Sequence, residues 1–300
     1  MEPRSTSRYR GRFAPSPTGP LHLGSLVAAL ASYLDAKAQD GLWLVRIEDI
    51  DPPREVPQAS DWILQALDTL GLHWDEEVLR QSQRITAYEA ALHQLDRSGL
   101  IFACRCSRQD LAGHIAYPGN CRELALPWQD GTALRVRVPA RPQHFHDRLQ
   151  GNYTQDLGRE CGDFVVRRKD GPYSYQLAVV VDDAYQGVTD IVRGIDLLDS
   201  TPRQLYLQEQ LQLPQPSYAH VPVLINPVTK QKLSKQNLAE PLDLERPART
   251  LWHALWLLRQ EPPQELHRAS VAEVLAWAIA HWRPQRLQGL TEIPLASPPL

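Results

Sequence analysis

The sequence predicts an α/β fold, a parallel sheet with helices on its faces. Three observations carry this expectation. Near the N-terminus a short strand, a Pro/Gly loop, an apolar-periodic helix and a second strand follow one another. Strand and helix alternate again from residue 189 onward. Polar and charged residues gather just after the strands, where parallel α/β sheets bind their ligands.

In chain order, residues 9–13 read as the first strand. Leu23, Leu26, Val27, Leu30 and Leu34 then recur at helical spacing. Between them lies Ala14-Pro15-Ser16-Pro17-Thr18-Gly19-Pro20-Leu21-His22. A rigid loop that ends at a helix start is a natural anion site, because free N–H groups and the helix dipole point outward there. Gly41 is expected to end the helix, and 42–47 reads as a buried strand closed by Glu48, Asp49 and Asp51. From position alone Glu48 reads as a solvated turn acid. Ser60 and Ser82 are expected to cap two further helices, ending at Gly71 and before Gly99. Residues 133–138 alternate as a strand, whereas 141–162 gives no clear pattern. Residues 163–168, Lys169-Asp170-Gly171 and 173–181 read as strand, turn and a second apolar element, with Asp-Gly as a hairpin signal. A strand at 189–192, a helix capped by Ser200 or Thr201, and a strand at 220–225 complete the sheet. Two helical patterns follow, through Leu251, Leu255 and Leu258 and through Val271, Val274 and Ile279, and the tail after Pro284 reads as loose.

A formal net charge of −3 gives no broad basic stripe, so a nucleic-acid partner would have to bind through local patches. Arg167-Arg168-Lys169 is one such patch. The basic residues are unevenly split. Lysine occurs only at 37, 169, 230, 232 and 235, so three of five fall within six residues of an otherwise arginine-rich chain. That cluster reads as chemical. Three of the four cysteines lie close together, Cys104-x-Cys106 and then Cys121, a soft donor set suited to one structural zinc. The fourth donor stays open between His114 and Tyr117, and ligand chemistry favours His114. No apolar run is long enough for a bilayer and no signal-peptide pattern opens the chain, so a cytoplasmic setting is expected.

Three motifs, taken together and in order, carry a family resemblance. Arg12-Phe13-Ala14-Pro15-Ser16-Pro17-Thr18-Gly19 with His22-Leu23-Gly24-Ser25 resembles the first signature of glutamyl-type class I aminoacyl-tRNA synthetases. Arg46-Ile47-Glu48-Asp49-Ile50-Asp51 resembles their next block. Lys232-Leu233-Ser234-Lys235-Gln236 resembles their mobile second signature. Two positions depart from the pattern: Ser25 stands where a histidine is usual, and Gln236 where a serine is. Only 64 of the 300 residues follow Gln236, and the compact cysteine insert is present. Both features resemble the short paralogous family, the glutamyl-Q tRNA(Asp) synthetases.

The resemblance implies a Rossmann-like catalytic domain over 1–240, a zinc-bearing insert over about 101–160 and a C-terminal helical part over 241–300. It implies ATP-dependent activation of L-glutamate, with Mg accompanying ATP and no need for tRNA, then transfer to queuosine in the anticodon of tRNA(Asp). Arg12, Ser16, Glu48, Tyr175 and Arg193 would hold glutamate, and which arginine meets the side-chain carboxylate stays open. His22, Gly24, Lys232, Ser234 and Lys235 would serve ATP, with His22, Gly24 and Lys235 weighted as catalytic. Tyr117 would join Cys104, Cys106 and Cys121 on the metal. Other readings are a conventional synthetase acting on the tRNA 3′ end, an unrelated HxGx nucleotidyltransferase and a non-catalytic RNA-binding paralogue. The short C-terminus argues against the first, the Arg46–Asp51 block and the lysine loop against the second, and intact His22, Glu48, Arg193 and Lys235 against the third.

Overall fold

A computed structural model describes residues 8–233 and 242–296. Strand β1 (Arg10–Phe13) leads through the Pro/Gly loop to helix α1 (Leu23–Lys37), and β2 (Leu42–Ile47) returns parallel to β1, with Arg12 beside Leu44. Helix α1 ends before the expected Gly41: Ala38 is its cap, and Asp40 makes the left-handed turn (φ 51°). Its first turn is closed by His22 and Ser25, each bonding the other's backbone N–H.

Helix α2 (Ala59–Thr69) starts from left-handed Gln58, so Ser60 lies inside it and caps nothing. After β3 (Leu79–Arg80) comes α3 (Ile85–Arg97), whose N-cap is Arg84. Ser82, the expected cap, instead donates through its N–H and hydroxyl to Asp49 (2.9 and 2.7 Å), tying this corner to the end of β2.

Strands β4 (Ile101–Cys104) and β5 (Ala133–Val136) flank the cysteine loop. The stretch without a sequence pattern is a hairpin, β6 (Pro142–Asp147) and β7 (Gly151–Asp156), followed by the single-turn α4 (Leu157–Glu160). Strand β8 (Phe164–Arg167) pairs with β5. The Asp-Gly turn then yields only one bridge, Arg167 to Tyr173, before Ser174 caps helix α5 (Tyr175–Tyr185). The turn is closed by Arg168 N–H to the Pro172 carbonyl (2.8 Å) and Ser174 N–H to the Val166 carbonyl (2.9 Å), and the hairpin goes no further because apolar Leu177 to Val180 form a helix buried with Tyr88, Leu92 and Leu134.

Strand β9 (Asp190–Gly194), helix α6 (Thr201–Leu211) and strand β10 (Ser217–Val221) follow. The expected single strand over 220–225 is broken at Pro222, and β11 (Val223–Ile225) pairs elsewhere. Helices α7 (Pro247–Leu257) and α8 (Val271–Ala280) share the main core with α1. The tail is not loose as far as it is described: β12 (Glu292–Pro294) runs parallel to β11. No helix among the described residues is long and apolar enough to cross a membrane.

Besides the β11–β12 pair, the parallel strands form two pieces, β1-β2-β3 and β7-β6-β10-β9, in which only β7 is antiparallel. They meet at β1 and β9, where Thr189 N–H donates to the Arg10 carbonyl (3.0 Å) and Arg10 N–H to Thr189 Oγ1 (2.9 Å). Chain connections diverge to either side of this junction. It is the switch point at which such sheets open a crevice beyond the strand ends.

Candidate active site

The crevice is lined from three strand ends. Arg12 comes from β1, Glu48 from just past β2, and Arg193 from β9. All three are buried, at 3%, 9% and 5% exposure. Glu48 is therefore not the solvated turn acid that its position suggested. Its N–H donates to the Pro15 carbonyl (3.0 Å), which stitches the Pro/Gly loop to the end of β2.

Asp183 on α5 organises the cationic side. It accepts from Arg12 Nε (3.2 Å) and Arg46 Nη1 (2.8 Å), and Arg46 Nη2 reaches Glu48 at 3.4 Å. Burial acts to raise the Asp183 pKa, but the two guanidiniums outweigh it and hold the carboxyl below the usual range. Glu48 is balanced the other way. Burial pushes its pKa up to about 7, against the pull of Arg46 and Arg12. An added cation beside Glu48 would restore its charge, so the site suits an ammonium group.

Arg193 differs from the other two arginines. Its Nη1 donates to Tyr175 Oη (3.3 Å), Nη2 to Thr201 Oγ1 (2.7 Å) and the Leu197 carbonyl (3.3 Å), and Nε to His220 Nε2 (3.0 Å). It makes no ion pair with a carboxylate among the described residues. A buried cation with only neutral partners is poised for an anionic ligand. Burial raises the Tyr175 pKa against the pull of Arg193, while Glu48 and Arg12 bear on the same hydroxyl with opposite signs. Ser16, in the Pro/Gly loop, is exposed, and its carbonyl accepts from Thr18 N–H (2.9 Å).

At the helix start, His22 Nδ1 accepts from Ser25 N–H at 3.2 Å, so Ser25 has a structural use at the position where the motif departs from its usual form. A Cβ on Gly24 would lie 3.0 Å from His22 Cε1 and 3.3 Å from the Leu233 carbonyl. Gly24 thus lets the stem of the lysine loop close over the first turn of α1. Leu233 N–H bonds the Leu224 carbonyl (2.8 Å), and Lys232 Nζ pairs with Asp196 (2.6 Å). Ser234, Lys235 and Gln236 lie outside the described residues.

The thiols of Cys104, Cys106 and Cys121 lie within 4.8 Å of one another. Tetrahedral zinc with Zn–S near 2.3 Å would want sulfurs roughly 3.8 Å apart, and Cys106 and Cys121 stand at 3.5 Å. Tyr117 Oη lies 3.5 Å from Cys104 Sγ and 4.0 Å from Cys106 Sγ. His114 is exposed and outside the group. Tyr117 is held from behind: its N–H bonds the Cys161 carbonyl (3.1 Å), and Arg135 stacks on its ring at 3.9 Å. Gly162 takes φ +69°, and any Cβ there would sit 2.5 Å from Tyr117 N. Burial opposes ionisation of Cys104, but hydrogen bonds from Tyr117 and Arg135 pull its pKa down to about 7. The donor set fits a thiophilic metal ion.

Arg167-Arg168-Lys169 is more occupied than its sequence suggested. Arg168 is tied to Asp51 (2.8 Å) and Asp170 (2.5 Å), and Lys169 to the Arg105 carbonyl (2.6 Å). Sequence reasoning missed Asp183, which holds Arg12 and Arg46, and His220, which meets Arg193. Only Asp183 left a signal, an acid pair within an apolar helical run.

The family described as tRNA synthetases class I (E and Q), catalytic domain, matches residues 8–117 and 127–246. The chain is 56% identical over 290 residues to a glutamyl-Q tRNA(Asp) synthetase of Pseudomonas aeruginosa, covering 96% of this chain and 98% of that one. It is 54% identical over 297 residues to the protein of the same name from Pseudomonas fluorescens, covering 99% of each. The solved glutamate-tRNA synthetase of Elizabethkingia anophelis superposes with a TM-score of 0.82 at 24% identity, covering 97% of this chain and 68% of that one, a likeness of fold. The match of family and of near-full-length relatives establishes that the chain belongs to the glutamyl-Q tRNA(Asp) synthetases, a family of class I aminoacyl-tRNA synthetase-type ligases.

Proposed function

We propose that this protein activates L-glutamate with ATP, without needing tRNA, and transfers the glutamyl group to queuosine in the anticodon of tRNA(Asp). The observation that carries the reading is the crevice itself: a buried, carboxylate-free Arg193 beside Tyr175, facing a carboxyl, Glu48, that gains from a cation. An amino acid with a second carboxylate matches both ends. Relatives that cover nearly the whole chain carry the glutamyl-Q tRNA(Asp) synthetase name.

In this reading Glu48 takes the ammonium, and Arg193 with Tyr175 takes the side-chain carboxylate. Arg12 keeps one edge on Asp183 and steers the α-carboxylate, while the Ser16 loop closes the pocket. The α-carboxylate oxygen attacks the α-phosphorus of ATP, bound with Mg, and pyrophosphate leaves. A hydroxyl of queuosine then attacks the adenylate carbonyl, and AMP leaves. Catalysis of the first step is positioning and stabilisation of phosphate charge. His22 and Gly24 at the start of α1, with Lys232, Ser234 and Lys235, are assigned to ATP. Residues 1–240 are assigned to the catalytic unit, with its insert over about 101–160, and 241–300 to the C-terminal helical part, whose α7 and α8 pack against α1. Cys104, Cys106, Cys121 and Tyr117 would hold one zinc, which fixes the insert and takes no part in the reaction.

The test has two arms. Glutamate-dependent exchange of pyrophosphate into ATP should proceed with no tRNA present. Labelled glutamate should then attach to a queuosine-bearing anticodon stem-loop that has no acceptor end. An unlabelled fragment, together with charging of tRNA(Glu) at its 3′ end, would replace this reading with that of a conventional synthetase.

A further inference from the structure

Beneath Arg193 lies a buried pair that the reading above does not use. Asp147, at the end of β6, and His220, in β10, are both 0% exposed. His220 Nδ1 stands 2.6 Å from Asp147 Oδ2. The other carboxylate oxygen accepts three backbone N–H groups, from Leu149 (2.9 Å), Gln150 (2.9 Å) and His220 itself (3.2 Å). On the far side of the ring, Nε2 meets Arg193 Nε at 3.0 Å and Thr201 Oγ1 at 3.2 Å.

Donors and acceptors admit one arrangement. Burial acts to raise the Asp147 pKa, but His220 and the backbone N–H groups hold it below the ordinary range, so the ionised group only accepts. Nδ1 must therefore carry the ring proton. Arg193 Nε can only donate, so Nε2 must be bare. Burial and the Arg193 charge disfavour a second proton against the pull of Asp147, which leaves the imidazole neutral.

We infer that Asp147 fixes the tautomer of His220, and that His220 is thereby a charge-neutral acceptor that aims Arg193 into the crevice without neutralising it. The contrast lies in the same site. Arg12 and Arg46 are oriented by Asp183, a carboxylate that cancels charge as it positions. Arg193 is oriented instead by His220, Thr201, Tyr175 and the Leu197 carbonyl, neutral groups that leave its charge for the ligand. Asp147 and His220 are positioning residues for charge selection, and the inference rests on the proposed role of Arg193.

The test is tRNA-free, glutamate-dependent pyrophosphate exchange on the full chain, with glutamate and ATP varied separately. Asp147→Asn is isosteric. Its oxygen stays with the three N–H groups, so its amide donates to Nδ1 and drives the ring proton to Nε2, against Arg193 Nε–H. A triad histidine loses its working tautomer after the same substitution. The glutamate KM should rise by about tenfold or more while the ATP KM moves less than about twofold. His220→Gln can place an amide oxygen where Nε2 stands, and should keep a lower glutamate KM than His220→Leu. That pair decides the matter should Asp147→Asn fail to fold. Parallel rises in both KM values, or equal glutamate KM values for the two His220 variants, would overturn the inference and leave the pair as core. Failure of the underlying reading is separate: Arg193→Ala would leave the glutamate KM unchanged, or the wild type would accept glutamine as well as glutamate.

Discussion

The crevice and the cysteine insert both gather titratable side chains, and they are built on opposite principles. In the crevice, groups of opposite sign meet: Arg12 pairs with Asp183, and Arg46 with both Asp183 and Glu48, all four buried. In the insert, like groups converge. Burial, then Cys121 and Cys104, push the Cys106 thiol up to about 11. Folding alone can assemble the first cluster because its members attract. The second gathers donors that repel once ionised, so it gains its stability from a cation. The crevice should therefore resist chelators and respond to charge changes, and the insert should do the reverse.

The largest break is expected from Arg193→Ala. Removing one partner of a buried charged contact costs roughly 2–5 kcal/mol, so kcat/KM for glutamate should fall about 30- to 4,000-fold in pyrophosphate exchange. Metal content should not change. A loss smaller than about tenfold would mean that Arg12 carries the carboxylate instead.

Next in size is Cys121→Ser. Structural zinc binding is worth about 10–16 kcal/mol over four ligands, so one lost thiolate should weaken metal binding by roughly a hundredfold or more. Elemental analysis after chelator-free purification should fall from about one equivalent per chain toward none. Pyrophosphate exchange, measured on the same preparation, should fall far less than metal content does. Equal losses of both would tie the insert to the crevice.

A pH profile sharpens the contrast within the crevice. Burial sets the Glu48 pKa at about 7 in the free protein. Below that value the carboxyl is protonated and loses its attraction for the substrate ammonium; above it the charge is complete. kcat/KM for glutamate should therefore fall about tenfold per unit below pH 7 and level off above it. Asp183, held low by Arg12 and Arg46, should add no second step in this range. Glu48→Gln should remove the acid limb.

The same contrast explains what the sequence could disclose. β1, α1 and β2 were legible because their signals are local: a helical period, three prolines, and a mostly apolar strand from Leu42 to Ile47 that only Arg46 interrupts. The cysteines were legible from their own spacing, whereas the arginines, Glu48 and Tyr175 were reached through the family resemblance. Partners set by distant pairing were not. Asp147 and His220 stand 73 residues apart and meet only because β6 and β10 are neighbours. β12 exists through its register with β11, Val223 beside Glu292, and has no strand pattern of its own. The β6–β7 hairpin hid its period of two because His144 and His146 face Thr154 and Asn152 on its polar side, while Phe145 meets Tyr153 on the other.

The smallest expected effect decides the fourth donor of the insert. His114 is the better ligand on chemistry, but placement favours Tyr117, whose hydroxyl is already within 3.5 Å of Cys104 Sγ. That hydroxyl also accepts the Cys121 N–H at 2.8 Å, so it orients a thiol as well as offering an oxygen. Burial, then the Cys104 hydrogen bond, raise its pKa, so without metal it remains a neutral phenol. Tyr117→Phe keeps the ring beneath Arg135 and against Phe102 and removes only the oxygen. Metal affinity, measured by competition with a chromogenic chelator, should fall about tenfold, the lower end of what outer contacts to a metal site are worth. The loss should grow at higher pH if the phenolate itself binds, because proton release then accompanies binding. His114→Ala should leave the affinity unchanged. If His114→Ala weakens metal binding and Tyr117→Phe does not, the loop around His114 must rearrange to close on the ion, and the ligand set becomes three cysteines and a histidine.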